Sequence, residues 1–335
     1  MPYRFGRPFT SHGQLRSLLD EAVRMRAFAP PFRFTSFFSP EDTLLCAIAA
    51  EAAMARARTT HRFDGREIDP LRIVELTTGS GLVGLHLLRL ENDSRFLGLD
   101  IDEGAVRTAS GNARLFGLSS RSAFECADMW SESTRRSLAG FKPHLLICNP
   151  PYIPEPEGMP LEREAGSGSD GTAHLMETIA LAAKVQPRAV ALSWCSLSDP
   201  AAVIRRAAGA GYSLNSLFMV AISDGEYSGS VHSYLRTLPH AWMNEELATR
   251  NALAPDGSCR FAYLLMAGDF SRQDHVDPQI EDSVARICES FASSGLSALE
   301  NPEAPIPVRA WILDRWDEVR LRAFLHGEIG GRPAA

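Results

Sequence analysis

Residues 144–154 read His144-Leu145-Leu146-Ile147-Cys148-Asn149-Pro150-Pro151-Tyr152-Ile153-Pro154, and the fold turns on this stretch. Leu145 to Cys148 is a short apolar run that reads as the end of a buried strand. The prolines then stop any ladder or helix, because proline lacks an amide donor and has a fixed φ. Each also forces the residue before it into an extended conformation. Asn149 is therefore expected in one backbone conformation at a strand's C-terminal end, the ligand-binding edge of an open α/β sheet. An amide oxygen, free proline carbonyls and the planar face of Tyr152 together make a cradle for a planar NH2 group. The same residues could also form a tight polar turn with a packed tyrosine.

On these residues the chain resembles the class I methyltransferases that use S-adenosylmethionine (SAM) to methylate amino or amide nitrogens. Asn149-Pro150-Pro151-Tyr152 matches their target-nitrogen box, the NPPY motif. The run Asn149 to Pro154, followed by an acidic, Gly-rich stretch with Asp170-Gly171, is most similar to the protein-glutamine methyltransferases of translation release factors. The N6-adenine methyltransferases are similar at the four-residue box only. The resemblance covers residues 33–200. It implies a Rossmann-like α/β fold with a seven-stranded, mostly parallel sheet whose last strand is antiparallel. SAM is expected across the C-terminal edges of strands one to four. The implied catalytic residues are Asn149, Pro150 and Tyr152.

Upstream, Arg72 to Leu76 reads as strand one and runs into Glu75-Leu76-Thr77-Thr78-Gly79-Ser80-Gly81-Leu82-Val83-Gly84. Gly79, Gly81 and Gly84 spell G-x-G-x-x-G, which could serve a dinucleotide, and Asp100 lies where a ribose-binding acid belongs. Three features favour SAM over a nicotinamide. Glu75 would repel a pyrophosphate but suits a ligand carrying ammonium and sulfonium charges. Strand three also ends in an acid, Asp128, within Cys126-Ala127-Asp128-Met129-Trp130. The NPPY box has no task in hydride transfer. The chain departs from the family at Thr77, where these enzymes carry their first glycine. The expected SAM contacts are Glu75, Thr77, Gly79, Gly81, Asp100, Ile101, Asp128, Met129 and Asn149.

Strand two spans Arg95 to Leu99, so Asp100 can accept both ribose hydroxyls, while Asp102 suits the N-cap of the next helix. That helix, Glu103 to Phe116, ends at Gly117 in a C′ position. Asp128 is placed to accept from the adenine amino group, and Met129 to pack on the ring. Strands three, four and five are expected near Ala123–Ala127, His144–Cys148 and Arg188–Trp194. Residues 155–173 hold too much Gly, Ser and Pro for regular structure and read as a functional loop. Strand six covers Leu214 to Ile222 and strand seven Arg260 to Ala267. The excursion 223–258 between them reads as a substrate-covering insertion or as a surface hairpin.

Three parts are predicted: an N-terminal helical extension (1–62), the SAM domain (63–270) and a C-terminal helical extension (271–335). In the first, Leu15 to Ala27 has helical spacing. Ser39-Pro40 opens an Ala-rich helix in a capping-box pattern with Asp42, and Phe37 and Phe38 could line the site or join the core. Residues 58–70 read as a loop. In the last part, Asp277 to Ser290 reads as a helix, 302–307 as a linker and Arg309 to Phe324 as a helix with an apolar stripe.

With 335 residues, 45% hydrophobic and 22% charged, the chain can bury a full core. A net charge of −7 gives no footprint for nonspecific nucleic-acid binding. The six cysteines form no C-x-x-C pair, so no zinc or other metal site is expected. No segment has the length and apolarity of a membrane span or a signal core. The expectation is a cytoplasmic protein with no membrane contact. Three acceptors stay open. A protein glutamine is favoured by Asn149 to Pro154. A nucleic-acid base would need a basic face. A small molecule would include intramolecular SAM cyclisation releasing methylthioadenosine. A non-catalytic binding module is a fourth reading, which the intact box disfavours.

Overall fold

The structure is a computed structural model; it describes Leu18, Arg33 and residues 39–63, 70–249, 260–273 and 276–312. Continuous apolar runs make the centre. Strands β1 (Leu71–Leu76), β4 (Leu145–Cys148) and β5 (Ala189–Cys195) are buried on both faces, apart from half-buried Arg72, as parallel strands flanked by helices must be. The chain runs from β1 through α2 (Leu82–Leu90) to β2 (Ser94–Asp100), then through α3 (Glu103–Leu115) to β3 (Ser122–Cys126). Helix α4 (Glu132–Phe141) then returns it to the far side of β1, where β4 pairs. Helices α5 (Ala173–Val185) and α6 (Pro200–Gly209) flank β5 and lead to β6 (Tyr212–Ser223). The sheet order is β3-β2-β1-β4-β5-β7-β6-β8. Strand β7 (Ala262–Arg272) runs antiparallel to β5 and β6, as the resemblance implied.

The parallel register sets strand ends side by side. Leu76 pairs with Leu99 on one flank and with Cys148 on the other. Thr77, Asp100 and Asn149 therefore leave the sheet at one level. The direction of winding reverses between β1 and β4, and that crevice is where open α/β sheets bind ligands.

Three expectations change. Helix α1 starts at Pro40 behind Ser39, as the capping signal predicts, but it runs on to Phe63 through residues expected as a loop. Alanine and arginine are strong helix formers, and no Gly or Pro interrupts them before Gly65. Helix α1 packs on β5, β6 and β7 and buries Leu44, Leu45, Ala47 and Ala50, so it forms part of the sheet's own core. The second change is an eighth strand. Val308–Ile312 is β8, parallel to β6, where a helix was expected from Arg309. Its short apolar run fits either period, and the unpaired edge of β6 supplies ladder partners that a local helix cannot match. Trp311 is buried and stacks on Phe218 at 6.5 Å between ring centroids. The third is the insertion, which holds short helices α7 (Glu226–Ser230), α8 (His232–Leu235) and α9 (Glu245–Thr249) where a hairpin was the alternative. Helix α10 (Gln279–Ser294) follows β7 and packs on α6. The expected helix Leu15–Ala27 (except Leu18), Phe37, Phe38 and residues 313–324 lie outside the described residues.

Candidate active site

The turn after β1 has three left-handed residues: Thr77 at φ 52°, Gly79 at 53° and Gly81 at 73°. Thr77 is the anomaly, because a β-branched residue is disfavoured there. Its hydroxyl lies 2.6 Å from the Leu76 carbonyl and 3.1 Å from the Asn149 carbonyl. That bond ties the glycine turn to the NPPY box and offsets part of the strain. Gly81 is needed for contact as well as for φ, since a Cβ there would meet the Ala109 side chain at 3.0 Å. At Gly84 a Cβ would sit 2.0 Å from the Phe96 ring, so this glycine lets α2 close onto β2.

Glu75 is buried beneath this turn. One of its oxygens accepts from the Thr78 hydroxyl (2.8 Å) and the Gly84 amide (3.2 Å). Burial pushes its carboxyl up to about 8, against the smaller effect of those two bonds. Glu75 thus shapes the turn from below, a role its position in the sequence did not reveal.

Asp100 joins two loops. It accepts from the Gly79 amide at 2.7 Å through one oxygen and from the Asp102 amide at 2.9 Å through the other. Burial raises its carboxyl above the usual range, opposed by those amides. Each oxygen keeps a further lone pair for another donor. Asp102 itself caps α3, accepting from Gly104 at 2.8 Å. Ile101 is 46% exposed, while Met129 is packed in the core, so Ile101 offers the larger apolar face to a ligand. Asp128 is exposed and accepts from the Trp130 amide at 2.9 Å. Trp130 is exposed too and meets the His174 ring edge-on at 4.6 Å.

Beside the glycine turn stands the box. Asn149 Oδ1 is shielded from water and has no hydrogen-bond partner among the described residues. Pro150 and Tyr152 are buried. The Tyr152 hydroxyl donates to Asp42 on the first turn of α1, a contact across 110 residues of sequence. Sequence reading treated Asp42 only as a capping residue, because nothing local marks the partner.

The loop after the box has an isolated bridge, Ile153 to Gly166, a few backbone hydrogen bonds such as that from the Glu155 amide to the Gly168 carbonyl, and the Glu155 carboxylate at its centre. Glu155 accepts from the amides of Leu161 (2.7 Å) and Gly168 (3.1 Å). Gly171, at φ 73°, lies against the box, and a Cβ there would come within 2.4 Å of the Tyr152 carbonyl. The insertion leans on this loop. The Tyr227 hydroxyl donates to Glu164 at 3.1 Å and the Tyr234 hydroxyl to the Ser169 carbonyl at 2.8 Å. The structure brings the expected residues to one edge of the sheet, and Asp42 joins them from the first turn of α1.

Among known proteins, two curated relatives carry the same name. One from Rhodospirillum rubrum is 41% identical over 93 residues, 28% of this chain and 27% of the relative. The other, from Nitratidesulfovibrio vulgaris, is 30% identical over 185 residues, 50% of this chain and 60% of the relative. Both are release factor glutamine methyltransferases. This chain is similar to that group. The similarity spans no more than 60% of either relative's length. No family model matches. Among solved structures, a SAM-dependent methyltransferase from Agrobacterium tumefaciens has a TM-score of 0.40 at 14% identity, covering 72% of this chain and 66% of that one. The Mtq2–Trm112 complex of E. cuniculi has a TM-score of 0.36 at 14% identity, covering 71% and 98%. At these scores the fold rests on the strand order alone.

Proposed function

We propose that this chain is a SAM-dependent N-methyltransferase whose acceptor is the side-chain amide of a protein glutamine. The observation that carries the reading is the water-shielded Asn149 Oδ1 beside the glycine turn, unpartnered among the described residues. A buried acceptor without a donor is unfavourable, by about 1–3 kcal/mol, unless a ligand supplies the donor. A primary amide NH2 supplies it. The similarity to release factor glutamine methyltransferases favours glutamine among such amides. A net charge of −7 disfavours a nucleic-acid acceptor.

The residues present fit SAM. Asp100 has spare lone pairs for two ribose hydroxyls, Ile101 offers an apolar face to adenine and Asp128 an acceptor to its amino group. Glu75 supplies a carboxylate whose ionisation a cationic ligand would favour. When bound, SAM supplies an electrophilic methyl on its sulfonium. Asn149 Oδ1 and the Pro150 carbonyl take the two hydrogens of the acceptor NH2, leaving the nitrogen lone pair free to face the methyl. As the nitrogen–carbon bond forms and the methyl–sulfur bond breaks to leave a neutral thioether, positive charge would develop on the nitrogen, where the two oxygens would accept from it, and the surplus proton would then pass to solvent. The loop 155–171 and the described part of the insertion, 223–249, would close over the acceptor and exclude water. The five described cysteines are free, which suits a cytoplasmic setting.

The test is incubation with labelled SAM and a peptide bearing a single glutamine in a flexible loop, with a glutamate peptide as control. Label on the glutamine amide, read by mass spectrometry, is the expected result. Label on neither peptide, or release of methylthioadenosine, would overturn the reading.

A further inference from the structure

We propose that Asp42 is a positioning residue for the transfer: it anchors Tyr152 to helix α1 and so sets the position of the NPPY box. This rests on the reading of the box as the acceptor site.

The backbone around the box is held at three points. The Asn149 carbonyl accepts from Thr77 at 3.1 Å. The Ile153 amide donates to Ala165 at 2.9 Å, and its carbonyl accepts from Ser167 at 3.1 Å. Two prolines stiffen the span between them. Tyr152 is the one long side chain in that span, and its far end is tied to Asp42.

Helix docking does not account for Asp42. Leu44, Leu45, Ala47 and Ala50 bury α1 against the sheet. Further along, Glu51 meets His86 at 2.6 Å and Arg56 pairs with the buried Asp269. A carboxylate in the first turn is an unfavourable way to add to that docking, because burial penalises its charge. Burial does raise the Asp42 carboxyl, against hydrogen bonds from Tyr152 and Ser39. The charge of Asp42 in turn helps hold the Tyr152 phenol above its ordinary range. The proton of the phenol therefore stays on Tyr152. Burial, with the nearby Cys195 and Asp42, likewise holds the Tyr263 phenol of β7 above its ordinary range, against a hydrogen bond from Ser228 of α7. Helix α1 and the box thus meet at this carboxylate.

The experiment compares Asp42→Ala, Asp42→Asn and Tyr152→Phe in the full chain. Tyr152→Phe removes the same bond from the other end if Asp42→Ala does not fold. The side-chain amide resonance of Asn149, assigned by its loss in Asn149→Ala, reports the box without any acceptor. Asp42→Ala and Tyr152→Phe should each move that resonance, lower kcat on the glutamine peptide tenfold or more and leave SAM affinity within threefold. Together they should lower kcat no further than either alone. Asp42→Asn, which keeps an acceptor oxygen, should restore the resonance and most of kcat. An unmoved resonance with only a lower melting temperature makes Asp42 a folding residue and overturns the proposal. A wild-type chain that leaves the peptide unmethylated refutes the glutamine reading, while the resonance still decides the role of Asp42.

Discussion

The Thr77 hydroxyl lies 3.1 Å from the Asn149 carbonyl, bridging the two strand ends between which the sheet reverses its winding. The residue that departs from the glycine pattern thus holds the box in place. At φ 52° it carries strain of about 1–2 kcal/mol. Its hydrogen bond returns about 1 kcal/mol. Thr77→Gly should therefore melt close to the wild type. Thr77→Val keeps the strain and loses the bond, so it should be the less stable of the two by about 1–2 kcal/mol. Chemical denaturation of both variants checks the order.

Asn149→Ala separates an acceptor site from a structural turn. Because Asn149 Oδ1 has no partner among the described residues, its removal breaks no hydrogen bond seen to that atom and should not lower stability. Turnover should fall by about a hundredfold, with SAM affinity within threefold. A thermal melt beside a rate measurement tells the cases apart. Lost stability with unchanged turnover per folded molecule would return the box to a packed turn.

Asp100→Ala should weaken SAM binding by about tenfold to a hundredfold, the worth of one or two bonds to a charged group. It should also lower stability, since the Gly79 and Asp102 amides lose their acceptor. Asp100→Asn keeps one acceptor oxygen and should fall between. Calorimetric affinities alongside melts would show both effects; unchanged affinity in a folded variant removes the ribose assignment.

Glu75 makes stability depend on pH. Its carboxyl is raised from 4.5 to about 8 in the folded chain, mainly by burial. Its contribution is therefore complete below its unfolded pKa and is lost as pH rises toward the folded one. The slope is at most about 1.4 kcal/mol per pH unit. Glu75→Gln should be less sensitive to pH across that window in urea titrations. The same shift means that binding a cation beside Glu75 should release a proton near neutral pH. Calorimetry in buffers of different ionisation enthalpy would detect the release, and Glu75→Gln should abolish it.

Gly171→Ala should destabilise the chain by about 1–3 kcal/mol, the usual range for an imposed backbone strain. The new Cβ would fall 2.4 Å from the Tyr152 carbonyl at a left-handed φ. Denaturation and the Asn149 side-chain resonance should change together, because the clash bears on the box backbone.

What was legible in the sequence was local. The runs Leu71–Leu76, Leu145–Cys148 and Ala189–Cys195 announce buried strands because both their faces are apolar. Asp102 and Gly117 mark the ends of α3 through capping chemistry that acts within a turn or two. Asn149-Pro150-Pro151-Tyr152 announces a stiff acceptor at a strand end because proline acts on its neighbours. Val308–Ile312 was misread because five residues fit two periods, and only the open edge of β6 decides between them.

By itself, then, the sequence determined the order of elements from β1 to β6 and the places of the glycine turn and the box, since each depends on residues a few positions apart. The tertiary structure alone decided that Asp42 anchors Tyr152, that Glu75 supports the turn from below, that Asn149 Oδ1 is left without a partner among the described residues and that an eighth strand extends the sheet at the β6 edge. Each of these depends on which groups meet, or fail to meet, after the chain has closed. Burial then sets what those meetings are worth, because it removes the water that would otherwise solvate a carboxylate or an amide oxygen.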